Sequence, residues 1–180
     1  MNHQRKTIFI VGAATAAISA AVIALPAMAT DPLGGFAPTQ LSFGTFGALD
    51  IKAEKDDKWD LSLKSKGLTD VRVTRVAFPA GSSSGWHSHP GPNLLTVTQG
   101  SVVVYESSNP LCVPGTTYTA QTVTVPTGGT FSDNGGSHVH LVRNETGAPA
   151  EIMAVAFYPH GVTPRTTSKP RPTNCPENLL

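Results

Sequence analysis

The stretch Gly81–Gly100, GSSSGWHSHPGPNLLTVTQG, contains the first of two His-x-His pairs in this chain. His87 and His89 form this pair, and His138 and His140 form the second. In an extended strand, residues i and i+2 point to the same face, so each pair offers two imidazoles side by side. Neutral imidazole is the commonest protein ligand for metal ions. Two such strands placed face to face predict a metal site inside a β-sheet protein.

The region around this stretch alternates short β-branched runs with turn signals, a pattern typical of an all-β sandwich or barrel. Gln99-Gly100 is short enough for a tight hairpin. After the first thirty residues we find no long amphipathic helical pattern. The predicted strands are Val71–Phe78, Leu94–Thr98, Val102–Glu106, Thr119–Val125, His138–Asn144 and Glu151–Tyr158.

The spacing of Gly81, His87, His89 and Gly100 matches the first motif of the cupin superfamily at four of its five fixed positions. Asn93 occupies the fifth position, where that motif has a Glu. The stretch therefore resembles a cupin motif whose carboxylate is replaced by a neutral amide.

Two further segments resemble the ends of the second cupin motif. These are Pro126-Thr127-Gly128 and His140–Asn144, separated by a longer gap than the motif has. The resemblance covers about residues 70–158. It implies an all-β double-stranded β-helix, the jelly-roll or cupin barrel, which often binds one divalent metal ion through His, His, Glu and a second-motif His.

The metal ligands that we predict are His87, His89 and His140, with Asn93 as a weak ligand at the usual Glu position. Three imidazole nitrogens leave an open site with room for water or a substrate. Without a ligating carboxylate the site keeps the full divalent charge, which favours an anionic further ligand. One divalent ion is expected, and the residues admit Fe, Zn, Mn, Ni or Cu.

His138 shares the predicted strand face of His140 and has three candidate roles. It is a fourth ligand, a general base that transfers a proton, or a hydrogen-bond partner outside the coordination sphere. The alternative for every His-x-His pair is a surface strand with two solvated histidines.

The N-terminal segment predicts an export signal. Arg5 and Lys6 precede the uncharged apolar run Thr7–Leu25, and a small-residue cleavage site follows at Ala27–Ala29. Cleavage after residue 29 leaves no stable membrane anchor and predicts a secreted, periplasmic or cell-envelope protein. A retained N-terminal anchor is the alternative.

Cys112 and Cys175 are the only two cysteines, and both lie in proline-rich loops. In an oxidising compartment they can pair, so we predict a disulfide that ties the tail to the domain. Two unpaired thiols are the alternative.

These features divide the chain into four parts: a signal peptide (1–29), an N-terminal arm with a possible extra strand (30–66), a cupin barrel (67–160) and an irregular proline-rich tail (161–180). Thirteen basic and twelve acidic residues give no positive field for nucleic acid. The expected partner is a small molecule in the barrel, and cupins often pair through sheet edges, which permits a homodimer.

Two functions fit these predictions best. One is a metal-dependent oxygenase, isomerase or hydrolase that acts on a small molecule, with the metal as a Lewis acid or oxygen-binding centre. The other is a non-catalytic module that captures a metal or a small ligand in the same barrel. An inert surface module with vestigial histidines is third. The fold alone does not decide among the three, because one fold hosts many chemistries.

Overall fold

The computed structural model describes residues 30–113, 115–120, 129–165 and 169–179. These residues form ten β-strands and no helix, so the all-β prediction is confirmed. None of the described segments forms a helix that is long and apolar enough to span a membrane. The strands are β1 (Ala37–Phe46), β2 (Asp50–Asp56), β3 (Trp59–Lys64), β4 (Thr69–Phe78), β5 (Asn93–Gln99), β6 (Ser101–Glu106), β7 (Thr116–Thr119), β8 (Thr130–Asp133), β9 (His140–Arg143) and β10 (Ala150–Pro159).

Two antiparallel layers build the domain. The first layer has the order β1-β4-β10-β5-β8, and the second has the order β7-β6-β9. Backbone bridges Ser83–Arg143 and His87–His140 add the segment 82–89 to the free side of β9. From β4 onward the chain therefore crosses repeatedly between two layers of four strands, which is the jelly-roll arrangement. The predicted double-stranded β-helix fold is confirmed.

Strand β10 lies between β4 and β5 and shows the strict alternation of a half-buried strand. Its inward side chains include two small residues, Ala154 and Ala156, between the larger Ile152 and Tyr158. Because alanines take little volume, the middle of this strand leaves open space inside the barrel. The apolar core fills the remainder of the interior and comprises Phe78, Val97, Val102, Val104, Val142, Ala150 and Ile152.

The N-terminal segment contains more regular structure than the sequence indicates. Strand β1 pairs with β4 along its whole length, although its composition predicts an arm with little periodicity. Nearly all of its side chains are exposed because it is the edge strand of the layer, so no alternating burial marks it in the sequence. Strands β2 and β3 form a separate two-stranded hairpin.

Strands β4, β5, β6 and β10 are each one or two residues longer than predicted, whereas β7, β8 and β9 differ in other ways. The structure has β7 at Thr116–Thr119, where the sequence predicts a strand over Thr119–Val125, and residues 121–128 lie outside the described residues. Strand β9 begins at His140, two residues later than predicted. The four-residue strand β8 has no counterpart among the predictions.

Cys112 and Cys175 form a disulfide, as predicted from the sequence, across a separation of 63 residues. The bridge lies in a second buried cluster with Trp86, Tyr105, Leu141 and Leu179. The indole Nε1 of Trp86 donates a hydrogen bond to the carbonyl oxygen of Leu179 at 3.1 Å. The C-terminal tail is thus fixed against the segment that carries His87 and His89.

Reduction of this disulfide is expected to lower the free energy of unfolding by about 4 kcal/mol, the chain-entropy value for a loop of this length. Urea unfolding of the oxidised and the dithiothreitol-treated protein measures the difference. The double variant Cys112→Ser/Cys175→Ser should unfold like the reduced wild type, without responding to dithiothreitol. Equal stability of the two wild-type forms would contradict the prediction.

The buried carboxylate of Asp70 joins β1, β4 and the end of β10. Its Oδ1 accepts hydrogen bonds from Thr45 Oγ1 and His160 Nδ1, both at 2.8 Å. The His160 hydrogen bond is the largest of the effects that lower the pKa of Asp70 below its ordinary value of 3.8. A carboxyl whose folded pKa is depressed stabilises the fold above its ordinary pKa and loses that contribution as the pH falls through the folded value.

The variant Asp70→Asn is therefore expected to be less stable than the wild type at about pH 6, with a difference that shrinks as the pH falls below the ordinary pKa of 3.8 towards the depressed folded pKa. Urea unfolding of both proteins across this range tests the expectation. A stability difference that stays constant with pH would show that the carboxylate charge contributes nothing.

Candidate metal centre

The backbone brings His87 and His140 together as a cross-strand pair. Each residue's N–H donates to the other's carbonyl oxygen at 3.0 Å, the pattern of a hydrogen-bonded antiparallel pair. Directly opposed side chains project to the same face, and the two ring centroids are 4.4 Å apart. His89 follows two residues after His87, so it lies on this face as well, with its ring centroid 4.8 Å from that of His87 and 5.4 Å from that of His140.

Ring nitrogens of these three histidines lie within 4.8 Å of one another. The Nδ1 atom of His87 is 2.9 Å from the carbonyl oxygen of Gly85, and the Nδ1 atom of His89 is 2.9 Å from that of Pro164. Because a carbonyl oxygen only accepts hydrogen bonds, each of these nitrogens carries the proton. Each Nε2 atom therefore has a free lone pair, as a metal ligand requires.

Burial keeps these histidines neutral. Desolvation is the main effect that lowers the pKa of His87 well below 6.5. It also lowers the pKa of His140 to about 4, although the negative charge of Asp133 acts to raise it. The pKa of His89 is lowered for the same reason. Near neutral pH the three rings thus offer lone pairs without competition from protons.

Asn93, at the position of the cupin Glu, is buried and hydrogen-bonded at both ends of its amide. Its Nδ2 donates to Asp133 Oδ2 at 3.0 Å, and its Oδ1 accepts from the Tyr158 hydroxyl at 2.6 Å. Asn93 and Asp133 are directly opposed residues of β5 and β8. The strand pairing therefore places a carboxylate next to the position where the cupin motif has one.

Sequence reasoning missed Asp133, whose carboxylate lies within 4.0 Å of a side-chain nitrogen of four predicted site residues. Its Oδ1 accepts from His138 Nδ1 at 2.8 Å and lies 3.9 Å from His140 Nδ1, and its Oδ2 lies 4.0 Å from His89 Nε2. Burial alone would raise its pKa, but the neighbouring histidines and hydrogen bonds outweigh burial and lower the pKa. One signal was available: Asp133 is the only acidic residue between Glu106 and Glu145.

His138 lies just before β9, outside the cavity that the other histidines line. Its Nδ1 donates to Asp133, and its Nε2 is 3.8 Å from Glu106 Oε1. Its ring stacks on that of His140 at 5.5 Å. Asp133, His138 and His140 form a second group whose ligand atoms lie within 4.8 Å of one another, so two candidate groups share His140.

A cavity of about 290 Å³ opens beside the three histidines, inside the barrel. His87, His89 and His140 line one end together with Asn93 and Tyr158. Its other lining residues are Phe36, Pro38, Gln40, Arg72, Thr74, Val76, Phe78, Ser84, Leu95, Val142, Ile152, Ala154, Ala156, Pro164 and Arg165. A second cavity, of about 330 Å³, lies near the end of β3, and none of its lining residues is a histidine or an acid.

No protein-family model matches the chain, and no curated protein matches it. Solved structures do match. The chain is similar in fold to cupin superfamily proteins. A cupin-like protein from Thermotoga maritima is 21% identical, with 54% of this chain and 63% of that chain covered and a TM-score of 0.41. A cupin superfamily protein from Desulfitobacterium hafniense is 9% identical, with 67% and 82% covered and a TM-score of 0.39.

A third match is a conserved protein with a double-stranded β-helix domain from Klebsiella pneumoniae, at 14% identity, with 68% of this chain and 85% of that chain covered and a TM-score of 0.41. At these identities the likeness concerns the fold alone. In the cupin-like barrel described here, His87, His89 and His140 converge, Asn93 lies beside them and His138 lies behind His140. The first end of the second motif, Pro126–Gly128, lies outside the described residues.

The contact between Asn93 and Asp133 yields a prediction. Asn93→Asp removes the donor to Asp133 and buries two carboxylates side by side, so we expect a loss of about 2–4 kcal/mol in the free energy of unfolding at neutral pH. The exchanged double variant Asn93→Asp/Asp133→Asn restores one donor and one acceptor and should recover part of that loss. Urea unfolding of the four proteins of this cycle measures the coupling, and a double variant no more stable than Asn93→Asp would refute the proposed contact.

Proposed function

We propose that this protein binds one divalent metal ion through His87, His89 and His140, and that it acts on a small molecule in the adjoining cavity. The observation that carries the proposal is the distance of 3.1 Å between the Nε2 atoms of His87 and His89. Both atoms are acceptors when their Nδ1 atoms are protonated, so their lone pairs repel each other. A cation between them removes this repulsion, and 3.1 Å is close to the separation of about 3.3 Å between two ligands in a tetrahedral site with bonds of about 2.0 Å.

The donor set also fits a metal ion chemically. Three neutral imidazoles suit Zn, Fe, Ni and Cu better than harder ions, which prefer oxygen ligands. Asn93 is not required as a ligand, because its amide oxygen already accepts the Tyr158 hydroxyl. The carboxylate of Asp133 is not one of the proposed ligands. It lies 4.0 Å from His89 Nε2 and would balance part of the charge of the cation.

A bound ion would supply a Lewis acid at the histidine end of the cavity. Burial is the main effect that raises the pKa of Tyr158 to about 12, so this hydroxyl stays protonated and keeps its hydrogen bond to Asn93 Oδ1. His138 lies outside the cavity, and we propose that it acts through Asp133, whose carboxylate it holds towards His89 and His140.

Metal analysis of the purified full chain tests the proposal. We expect about one ion per chain in the wild type and a loss of at least ten-fold in metal affinity in His87→Ala, His89→Ala and His140→Ala, because each removes one of the three imidazole ligands. His160→Ala is the matched control, since His160 bonds to Asp70 away from the site.

The variant His138→Ala distinguishes the two candidate groups. If the metal lies among His87, His89 and His140, this variant keeps its metal with at most a modest loss of affinity. If His138→Ala loses the metal while His87→Ala keeps it, the ion lies at the group of Asp133, His138 and His140 and the proposal is wrong.

A non-catalytic binding protein is the second candidate. The observation that favours it is the absence of any carboxylate among the residues that line the cavity. Acid–base chemistry by the chain's own groups at the ligand is then limited to Tyr158, whose pKa is raised to about 12, and to the histidines that we assign to the metal. Incubation of the metal-loaded protein with a panel of small metabolites, followed by oxygen consumption and product analysis, separates turnover from binding.

We also propose that the protein is exported, by means of the predicted signal in residues 1–29, which lie outside the described residues. The disulfide between Cys112 and Cys175 is compatible with an oxidising compartment. N-terminal sequencing of protein recovered outside the cytoplasm should begin at Thr30. A sequence that begins at Met1 would mean that the segment is retained.

A further inference from the structure

We infer that the ligand of the cavity is an amphipathic monoanion of about ten non-hydrogen atoms in all, with a carboxylate at the histidine end and an apolar body. This inference rests on the proposed metal centre and adds the chemical class of its ligand. Two features carry it: the charges at the histidine end of the cavity and the apolar wall at the other end.

Two guanidinium groups line the cavity with the histidines. Arg165 Nη2 donates to the carbonyl oxygen of Ser84 at 2.6 Å, and the Ser84 hydroxyl lies 3.4 Å from His87 Nδ1. This places Arg165 beside the predicted metal ligands. Arg72 extends from β4, where it is opposed to Ala156 of β10, and its Nη1 donates to Gln40 Oε1 at 3.0 Å.

Carboxylates near these cations compensate only part of their charge. Asp70 Oδ2 lies 3.5 Å from Arg72 Nη2, Asp31 interacts electrostatically with Arg165, and Asp133 lies beside the histidines. A divalent ion and two guanidinium groups carry four positive charges against these three carboxylates. One positive charge remains, and none of the residues that line the cavity is an acid, so a single anionic group completes the balance.

Away from the histidines most of the cavity lining is apolar, although Gln40 and Thr74 also line it. Phe36 packs edge-on against Phe78 with ring centroids 5.1 Å apart, and Arg165 Cζ lies 6.0 Å from the Phe36 ring centroid, where the charged part meets the apolar wall. The wall continues with Val76, Leu95, Val142 and Ile152. Hydroxyl or charged groups placed against this wall would lose their hydrogen bonds to water without replacement. A sugar-like or dianionic ligand therefore fits poorly, whereas an alkyl or aryl chain fits well.

The volume limits the size of this chain. A cavity of about 290 Å³ corresponds to roughly ten water volumes of about 30 Å³ each. Each methylene group that leaves water for this wall should tighten binding about four-fold. Affinity should therefore rise from acetate to hexanoate and level off once the apolar end is full.

Calorimetric titration of the zinc-loaded full chain with hexanoate, hexanol, hexylamine and acetate tests the inference. We expect hexanoate to bind at least ten-fold more tightly than each of the other three probes. Without zinc the two guanidinium groups and three carboxylates leave no positive excess, so hexanoate should bind at least ten-fold more weakly to the apo protein. Hexanol binding as tightly as hexanoate, or hexanoate binding equally with and without zinc, would overturn the inference.

Variants locate the anionic group. Arg165→Gln should weaken hexanoate binding about ten-fold while the zinc content stays at the wild-type level, and Arg165→Lys should restore part of the affinity because it keeps the charge. Arg75→Gln is the matched control, since Arg75 lies on the same strand as Arg72 but is half exposed and faces Glu151 rather than the cavity. Unchanged hexanoate affinity in Arg165→Gln with normal zinc content would overturn the role of Arg165.

The two proposals fail differently. If the wild type retains no zinc, the metal centre itself is wrong and the inference falls with it. If zinc binds through the histidines but hexanoate has no advantage over hexanol, the metal centre stands and only the ligand class is wrong.

Discussion

The pair of backbone hydrogen bonds between His87 and His140 is the constraint on which the rest of the site depends. These two bonds, each 3.0 Å long, make the residues directly opposed members of an antiparallel pair. Their side chains must then project to the same face, and the two-residue period of the strand adds His89 to that face. Backbone pairing alone therefore places the three imidazoles on one face, independently of their side-chain hydrogen bonds.

Asn93, which stands where the resembled motif has a Glu, lies next to a carboxylate on the adjacent strand, that of Asp133. Asn93 links the Tyr158 hydroxyl to Asp133 through the two ends of one amide, a task that needs both a donor and an acceptor. A Glu at this position would offer only acceptors when ionised. The carboxylate of this site therefore lies on β8, opposite Asn93, and not at the position of Asn93 itself.

Local periodicity made part of this predictable. The His-x-His spacing and the β-branched runs between turn signals depend only on residues near in sequence, so most of the barrel strands and the three histidines could be predicted directly. Asp133 could not, because it reaches the site through the pairing of β5 with β8, a contact between residues 40 apart. Strand β1 could not either, since an edge strand with exposed side chains has no alternation to recognise.

The sequence predicts the disulfide of the C-terminal tail, but for a related reason it does not predict that the tail contributes to the polar end of the cavity. Pro164 supplies the carbonyl oxygen that orients His89, and the next residue, Arg165, supplies a cation. Neither residue lies in a strand, so their positions depend on distant anchors: the Lys169 N–H donates to the Trp86 carbonyl oxygen at 2.6 Å, and the disulfide holds Cys175. An irregular proline-rich segment can therefore contribute chemical groups to the cavity, because contacts with the barrel and the cross-link restrict it at several points.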